Sequence, residues 1–114
     1  MKLTEKDAYI FGYLAGIIDK AAQKNKKSNI SFDTTLQESL YHPYVGFTKI
    51  YTKAQKCGLI DKTLDNKIGI ALDELDISLA EKVDDYLSPD LQGVWAIAYW
   101  KGKTGADFNP PKAV

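Results

Sequence analysis

Apolar residues recur at intervals of three and four along most of the chain, which is the period of an α-helix. The first such stretch follows Thr4, where Thr4 and Asp7 form the pattern of a capping box with Asp in place of Glu. Its apolar residues make two adjacent stripes: Ala8, Phe11, Ala15, Ile18 and Ala22, and Ile10, Leu14, Ile17 and Ala21. Nearly half of the circumference is apolar, so we predict a helix that several neighbours bury and that ends near Lys24.

Prolines, glycines and capping residues set the bounds of the next two predicted helices. A short helix begins at Asp33 or Thr34 and ends before Pro43, because proline disfavours helical backbone in the residue before it. The same proline suits the first position of the following helix. That helix should stop before Gly58, which is a natural residue for the left-handed position after a helix.

The second half of the chain predicts two more main helices with an ambiguous stretch between them. Residues 61–76 have apolar side chains at helical spacing. Residues 77–87 are ambiguous and allow a short helix around residues 79–83. The last helix has the sharpest start signal, with Ser88 as N-cap and a proline at the first helical position, and it is predicted to end near Trp100.

Taken together, these patterns predict one all-α domain. No segment alternates apolar and polar residues with the period of two that marks a strand. We therefore expect a compact helical bundle of four main helices plus short helices over residues 1–103. Residues 104–114 are predicted to form a flexible C-terminal tail, because glycine and proline are frequent there.

Glycines inside the predicted helices need an explanation. The five positions are Gly12, Gly16, Gly46, Gly69 and Gly93. Each costs about 1 kcal/mol of helix stability relative to alanine. Close approach of a neighbouring backbone or ring within the fold would compensate for this cost, and close contact with a partner chain is the alternative.

Residues that carry most enzyme chemistry are scarce. His42 is the only histidine and Cys57 the only cysteine. A lone histidine before a proline is typical of a helix end or a surface, and without a second nitrogen or sulfur ligand it indicates no metal site. We interpret Cys57, on the last turn of a helix, as a buried or half-buried small residue. We expect no catalytic activity, no metal and no cofactor.

Location follows from features that the sequence lacks. No apolar run approaches the roughly 18 residues that a membrane span needs. The N-terminal residues do not form a signal peptide pattern, and a single cysteine cannot form an intrachain disulfide. A cytoplasmic protein without membrane contact is expected.

A net charge of zero hides an uneven distribution. Residues 1–58 contain nine Lys and five acidic residues, residues 59–93 three Lys and nine acidic residues, and residues 94–114 three Lys and one acidic residue. Such a chain can present a basic surface to nucleic acid and an acidic one to a basic neighbour; the alternative is that the charges only keep the faces solvated. Arginine is absent from the sequence, so contacts to nucleic acid would reach the phosphate backbone with little sequence preference.

Lysines recur at helical spacing in two places. The two triplets are Lys20, Lys24 and Lys27, which share a face of the first helix if that helix persists beyond Lys24, and Lys49, Lys53 and Lys56 on the third predicted helix. Each triplet would lie on one helix face, and together they could form a track for a phosphate backbone. The tyrosines that could lie near such a track are Tyr9, Tyr13, Tyr44 and Tyr51. The alternative is that both rows are ordinary solvated faces of a bundle.

Three stretches in order carry a family resemblance. They are residues 8–15 (AYIFGYLA), residues 39–47 (SLYHPYVGF) and residues 87–100 (LSPDLQGVWAIAYW). They resemble the small subunit of CRISPR Cascade complexes, which is equivalent to the C-terminal helical domain of the type I-C or I-B large subunit. In the last stretch, Gln92, Gly93 and Tyr99 match the family pattern, whereas Ala98 replaces a glycine and Trp100 a tyrosine. The resemblance covers most of residues 7–101, but the chain has Phe32–Asp33–Thr34 where the family usually has an Asp-Arg pair.

The resemblance implies a role in an assembly. A small subunit of this kind packs on the Cascade backbone and large subunits, and it can self-associate along the complex. It stabilises the R-loop, that is, the guide RNA–target DNA heteroduplex and the displaced strand, through lysine contacts to the phosphate backbone. The residues we expect to make these contacts are Lys20, Lys24, Lys27, Lys49, Lys53 and Lys56. Two alternatives are a phage-encoded anti-CRISPR inhibitor that binds Cascade and a generic helical adaptor.

Overall fold

The computed structural model describes residues 3–24, 33–76 and 86–111. The helices in these residues are α1 (Glu5–Lys24), α2 (Asp33–Tyr41), α3 (Pro43–Lys56), α4 (Lys62–Asp73) and α5 (Pro89–Thr104). No strand occurs in the same residues, which confirms the predicted all-α bundle with four main helices and a short one. The short helix predicted around residues 79–83 lies outside the described residues.

Local capping signals set the helix ends, as predicted. The Thr4 backbone N–H donates to Asp7 Oδ2 at 3.0 Å, and the Asp7 N–H donates to Thr4 Oγ1 at 3.1 Å. This reciprocal pair is the predicted capping box. Asp61 and Ser88 cap α4 and α5, because each side chain accepts a hydrogen bond from the backbone N–H three residues later. Pro43 occupies the first turn of α3.

The core is built around α1. The largest of its fully buried side chains are Phe11, Ile10, Leu14 and Ile18. The other helices pack around this central helix, and Phe47, Ile50, Ile68 and Trp95 are their larger contributions to the same core cluster. The broad apolar surface predicted for α1 is therefore buried by several neighbours, as its sequence indicates.

Glycines bring the backbones of α1 and α5 together. A Cβ atom on Gly12 would overlap the carbonyl oxygen of Trp95, and one on Gly16 would overlap the carbonyl oxygen of Tyr99. Since the contacts advance in the same direction along both helices, α1 and α5 run parallel. At these two positions the glycine is explained by close packing within the fold.

The remaining helical glycines divide into two kinds. Gly46 faces Ser39 on α2, so it also serves internal packing. A Cβ atom on Gly69 or Gly93, in contrast, would meet no atom within 4 Å. Internal packing is therefore confirmed for Gly12, Gly16 and Gly46 but does not account for Gly69 and Gly93.

The end of α5 differs from the prediction. The helix continues past Trp100 to Thr104, and Gly105, with φ of 84°, caps it in the left-handed conformation. Gly102 lies beyond the end predicted near Trp100, yet it is helical and buried. The reason is that its missing side chain lets the Tyr13 carbonyl oxygen approach closely.

The residues after α5 turn back along α1. The Phe108 ring lies 6.0 Å from the Tyr9 ring and 5.2 Å from the Tyr13 ring. Tyr13 Oη donates to the Ala106 carbonyl oxygen at 2.7 Å, and the Asn109 N–H donates to Tyr9 Oη at 3.1 Å. As far as the described residues extend, this segment packs on the core, which differs from the loose tail predicted from residue 104.

Candidate nucleic-acid and protein-binding surfaces

Three of the predicted lysines lie together on α3. The buried side of this helix carries Phe47 and Ile50, so its lysines point away from the core. Lys49, Lys53 and Lys56 are exposed and line one shallow depression of about 350 Å³ with two threonines. We call these three residues the α3 lysine face.

Within the described residues, the acidic side chain of Glu38 reaches the α3 lysine face. Glu38 Oε1 on α2 lies 2.7 Å from Lys49 Nζ, and the two side chains are 35% and 57% exposed. An exposed ion pair of this kind contributes only about 0–1 kcal/mol. A phosphate group could therefore replace Glu38 as the partner of Lys49 at little cost.

The α1 lysines line a different depression. Lys20 and Lys24 border a cavity of about 500 Å³ between α1, α4 and the segment that follows α5. Lys67 on α4 lies on the same lining, together with Asp61 and Asp107, whose negative charges offset much of the positive charge. Lysine spacing along the sequence does not predict Lys67 as part of this surface, because only the packing of α4 against α1 places it on the same lining as Lys20.

The single track predicted from both triplets does not form one depression. The α3 lysine face and the Lys20–Lys24 pair line separate surfaces in the part of the chain that the structure describes. Lys27 lies outside the described residues. Of the predicted contacts, the α3 lysine face is thus the set of three that the fold brings together on one lining.

The tyrosines expected beside the lysines are used inside the fold. Tyr9 is only 5% exposed, so it cannot stack on a base. Tyr44 packs with its ring edge against Phe11 at 6.4 Å. Tyr51 Oη donates to Asp65 Oδ1 at 2.8 Å, and Tyr13 lines the larger depression with its hydroxyl already donated.

Two tyrosines have raised pKa values. Burial, with smaller contributions from Tyr9 and Asp107, raises the pKa of Tyr13 above its ordinary value of 10.0. The hydrogen bond to Asp65 is the main cause that raises the pKa of Tyr51. In both cases the folded chain favours the neutral phenol, so this stabilisation is complete below about pH 10 and is lost as pH rises through the folded pKa.

We expect the free energy of unfolding to fall as pH rises from about 9 to about 11. Tyr51→Phe removes one ionising group and should make this fall shallower, as measured by urea denaturation at a series of pH values. The control is Tyr86→Phe, because Tyr86 is 69% exposed. An identical slope for wild type and Tyr51→Phe would contradict the assignment.

The remaining candidates for chemistry lie at helix ends. His42 is the N-cap residue of α3, and its ring packs 4.4 Å from the Tyr86 ring. Cys57 is the C-cap residue of α3 and is exposed, so the prediction of a buried or half-buried cysteine is wrong. Among the described residues, no group of three or more His, Cys, Asp or Glu could hold a metal ion. Nor do these residues include a helix long and apolar enough to cross a membrane.

The last helix has a second apolar surface. Trp95 and Ala98 of α5 are buried in the bundle. Ile97 and Trp100, in contrast, are 61% and 63% exposed. Gly93 and Ala96 are exposed too, and their spacing places these exposed residues on one side of the helix. We call Gly93, Ala96, Ile97 and Trp100 the α5 outer face. Adjacent large apolar side chains exposed in this way make the α5 outer face a candidate protein-binding surface.

Comparisons with known proteins found no relative of this chain. The sequence matches no protein-family model, and no curated protein and no solved structure matches it significantly.

Proposed function

We propose that this chain is a non-catalytic subunit of a CRISPR Cascade-type effector complex and works in the cytoplasm. In this role the α3 lysine face holds the phosphate backbone of the R-loop. The observation that carries the proposal is the common exposed depression that Lys49, Lys53 and Lys56 line on α3. The resemblance of residues 8–15, 39–47 and 87–100 to Cascade small subunits supplies the context.

The spacing of the α3 lysine face suits a nucleic-acid strand. Seven residues separate Lys49 from Lys56, which corresponds to about 10 Å along a helix. That length matches the axial rise of about three nucleotides of one strand. Thr52 lines the same depression, and hydroxyl groups are common donors to phosphate oxygens, whereas the Thr48 hydroxyl already donates to the Tyr44 carbonyl oxygen. Because lysine presents a point charge, such contacts add affinity without reading sequence.

The other surfaces suit a subunit rather than an isolated protein. The α5 outer face offers apolar area to a neighbouring subunit such as a Cascade backbone or large subunit. The depression beside Lys20, Lys24 and Lys67 offers a second, weaker basic contact. No step of the proposal requires a metal ion, a cofactor or a reacting side chain.

The test is target DNA binding by the guide-loaded complex, measured with this chain present and absent over a range of salt concentrations. We expect the chain to tighten binding. The triple variant K49A/K53A/K56A should lose this gain, and the slope of log K against log salt should become shallower by about 1 to 3. A double variant, K6A/K62A, removes lysines outside the α3 lysine face and should keep most of the gain.

Three other outcomes would contradict the proposal, and two of them would assign the chain a different role. Equal loss in the triple variant and in the control would mean that only overall charge matters, which contradicts a site on α3. A chain that joins the complex but weakens DNA binding would be an inhibitor. A chain that never joins the complex would be a helical adaptor for another partner.

A further inference from the structure

Tyr86 and His42 form an exposed aromatic pair where α2 meets α3. Their ring centroids lie 4.4 Å apart, and Tyr86 is 69% exposed. Tyr86 is not part of the core cluster of the bundle. The tyrosines expected beside the lysines are used inside the fold, whereas most of the Tyr86 ring is open to solvent. We call the rings of Tyr86 and His42 the aromatic platform.

The backbone next to Tyr86 is anchored. Leu87, the following residue, is buried, and its N–H donates to the Tyr41 carbonyl oxygen at 3.1 Å. The Leu87 carbonyl oxygen accepts a hydrogen bond from Gln92 Nε2 at 2.9 Å. These contacts fix the backbone beside the ring, so a ligand would not have to order this part of the chain before binding.

The aromatic platform is continuous with the α3 lysine face. Glu38 contacts both, because its Oε1 atom lies 2.7 Å from Lys49 Nζ and its backbone oxygen accepts the His42 N–H at 2.7 Å. His42 is the N-cap of α3 and precedes Lys49 by about two helical turns. The two residues therefore lie on the same side of α3, and the rings extend the row of ammonium groups at the start of the helix.

Aromatic rings beside a row of positive charges suit a single nucleic-acid strand. Its phosphates bind the charges, and one of its bases stacks on a ring. A duplex offers the phosphates but no free base face, because its bases are paired and stacked on each other. Asp84 and Asp85 precede Tyr86 in the sequence, and negative charge next to Tyr86 in the chain disfavours a phosphate but not an uncharged base.

We infer that the aromatic platform stacks one nucleobase of a single strand whose phosphates lie on the α3 lysine face. The ligand class is single-stranded nucleic acid, with little preference among the bases because every base has a face that can stack. The inference rests on the proposed function of the α3 lysine face and adds to it the form of nucleic acid that is bound.

Binding of the full chain to a short oligothymidine and to a duplex of the same length tests the inference. We expect tighter binding to the single strand. The double variant H42A/Y86A should weaken binding to the single strand at least about fivefold and leave duplex binding unchanged. His42 makes no side-chain capping hydrogen bond, so its replacement spares the start of α3. Tyr86→Phe keeps the ring and should bind as the wild type does.

Trp100→Ala is the matched control, because it removes a ring with similar exposure, 63%, from the α5 outer face. It should change neither binding constant, and circular dichroism checks that every variant folds. A cross-linking experiment locates the stacked base. With one thymine replaced by 5-bromouracil, irradiation should join the strand to Tyr86 or His42, as mass spectrometry of the peptides would show.

Three results would overturn the inference and leave the α3 lysine face in place. They are equal single-strand binding by the wild type and H42A/Y86A, an equal loss in Trp100→Ala, and cross-links only to other residues. The triple variant K49A/K53A/K56A identifies a failure of the proposed function instead, because it should weaken binding to both the single strand and the duplex. If it weakens neither, the α3 lysine face is not a phosphate site and both proposals are refuted.

Discussion

Gly12→Ala is expected to lower the free energy of unfolding by about 3 kcal/mol. The added methyl group would overlap the Trp95 carbonyl oxygen and lie 2.9 Å from the Trp95 carbonyl carbon and 3.0 Å from its Cα. These are backbone atoms in the middle of α5, so they cannot turn aside as a side chain can. The variant must separate α1 from α5, the two helices that form the centre of the bundle.

The control for this prediction is the same substitution at an open position. Gly69→Ala meets no neighbour within 4 Å and should raise the free energy of unfolding by up to about 1 kcal/mol, through helix propensity alone. Urea denaturation followed by circular dichroism measures both variants. If Gly12→Ala stabilised the chain as Gly69→Ala does, the close parallel contact of α1 and α5 would be refuted.

Asp7→Ala should be similarly damaging, with an expected loss of about 3 kcal/mol. The Asp7 carboxylate is fully buried and joins two parts of the fold. Its Oδ2 atom accepts the Thr4 N–H at the start of α1, and its Oδ1 atom accepts the Asp76 N–H at 2.7 Å, just after α4. Alanine would remove the cap and leave both backbone donors without this acceptor.

Glu5, another acidic residue in the first turn of α1, provides a control that distinguishes the effect of the buried hydrogen bonds of Asp7 from the effect of its charge. Glu5 also lies in the first turn of α1 but is exposed. Glu5→Ala should lose only the interaction with the helix dipole, about 0.3–1 kcal/mol. Thermal and urea denaturation of the two variants would show the difference. Equal losses would mean that the Asp76 contact contributes nothing to stability.

Helix starts could be predicted because their signals are local. A capping side chain such as Ser88 acts on backbone groups three residues away, and Pro43 acts on its own turn. The α3 lysine face was predicted for the same reason, since spacing along one helix decides which residues share a side. Each of these features depends on fewer than two turns of chain.

Features that depend on packing between distant segments could not be read from spacing. The presence of Lys67 on the same lining as Lys20 requires the position of α4 relative to α1. The anchoring of Phe108 between Tyr9 and Tyr13 requires the return of the chain after Gly105. A single aromatic residue in a segment rich in glycine and proline has no periodicity that would predict it.

The glycines show most clearly which packing contacts the sequence alone cannot predict. Their helical positions indicated close contacts, yet the sequence could not tell an internal contact from an open surface. Gly16 and Gly93 both lie among apolar residues of a helix in the sequence. In the structure Gly16 faces the Tyr99 carbonyl oxygen, whereas Gly93 has no neighbouring atom within 4 Å. The distinction depends on which side of each helix turns toward the centre, and neighbouring helices decide that.

The parallel pairing of α1 with α5 also sets the order of events during synthesis. Its contacts join residues far apart in sequence: 80 residues separate Asp19 from Tyr99, and 93 separate Tyr13 from Ala106. A nascent chain therefore holds the apolar surface of α1 without its main partner until α5 has left the ribosome. We expect the bundle to complete its folding only after α5 has emerged, and to fold more slowly than a bundle whose helices pack in sequence order. Until then, the same surface is the part of the chain most exposed to aggregation.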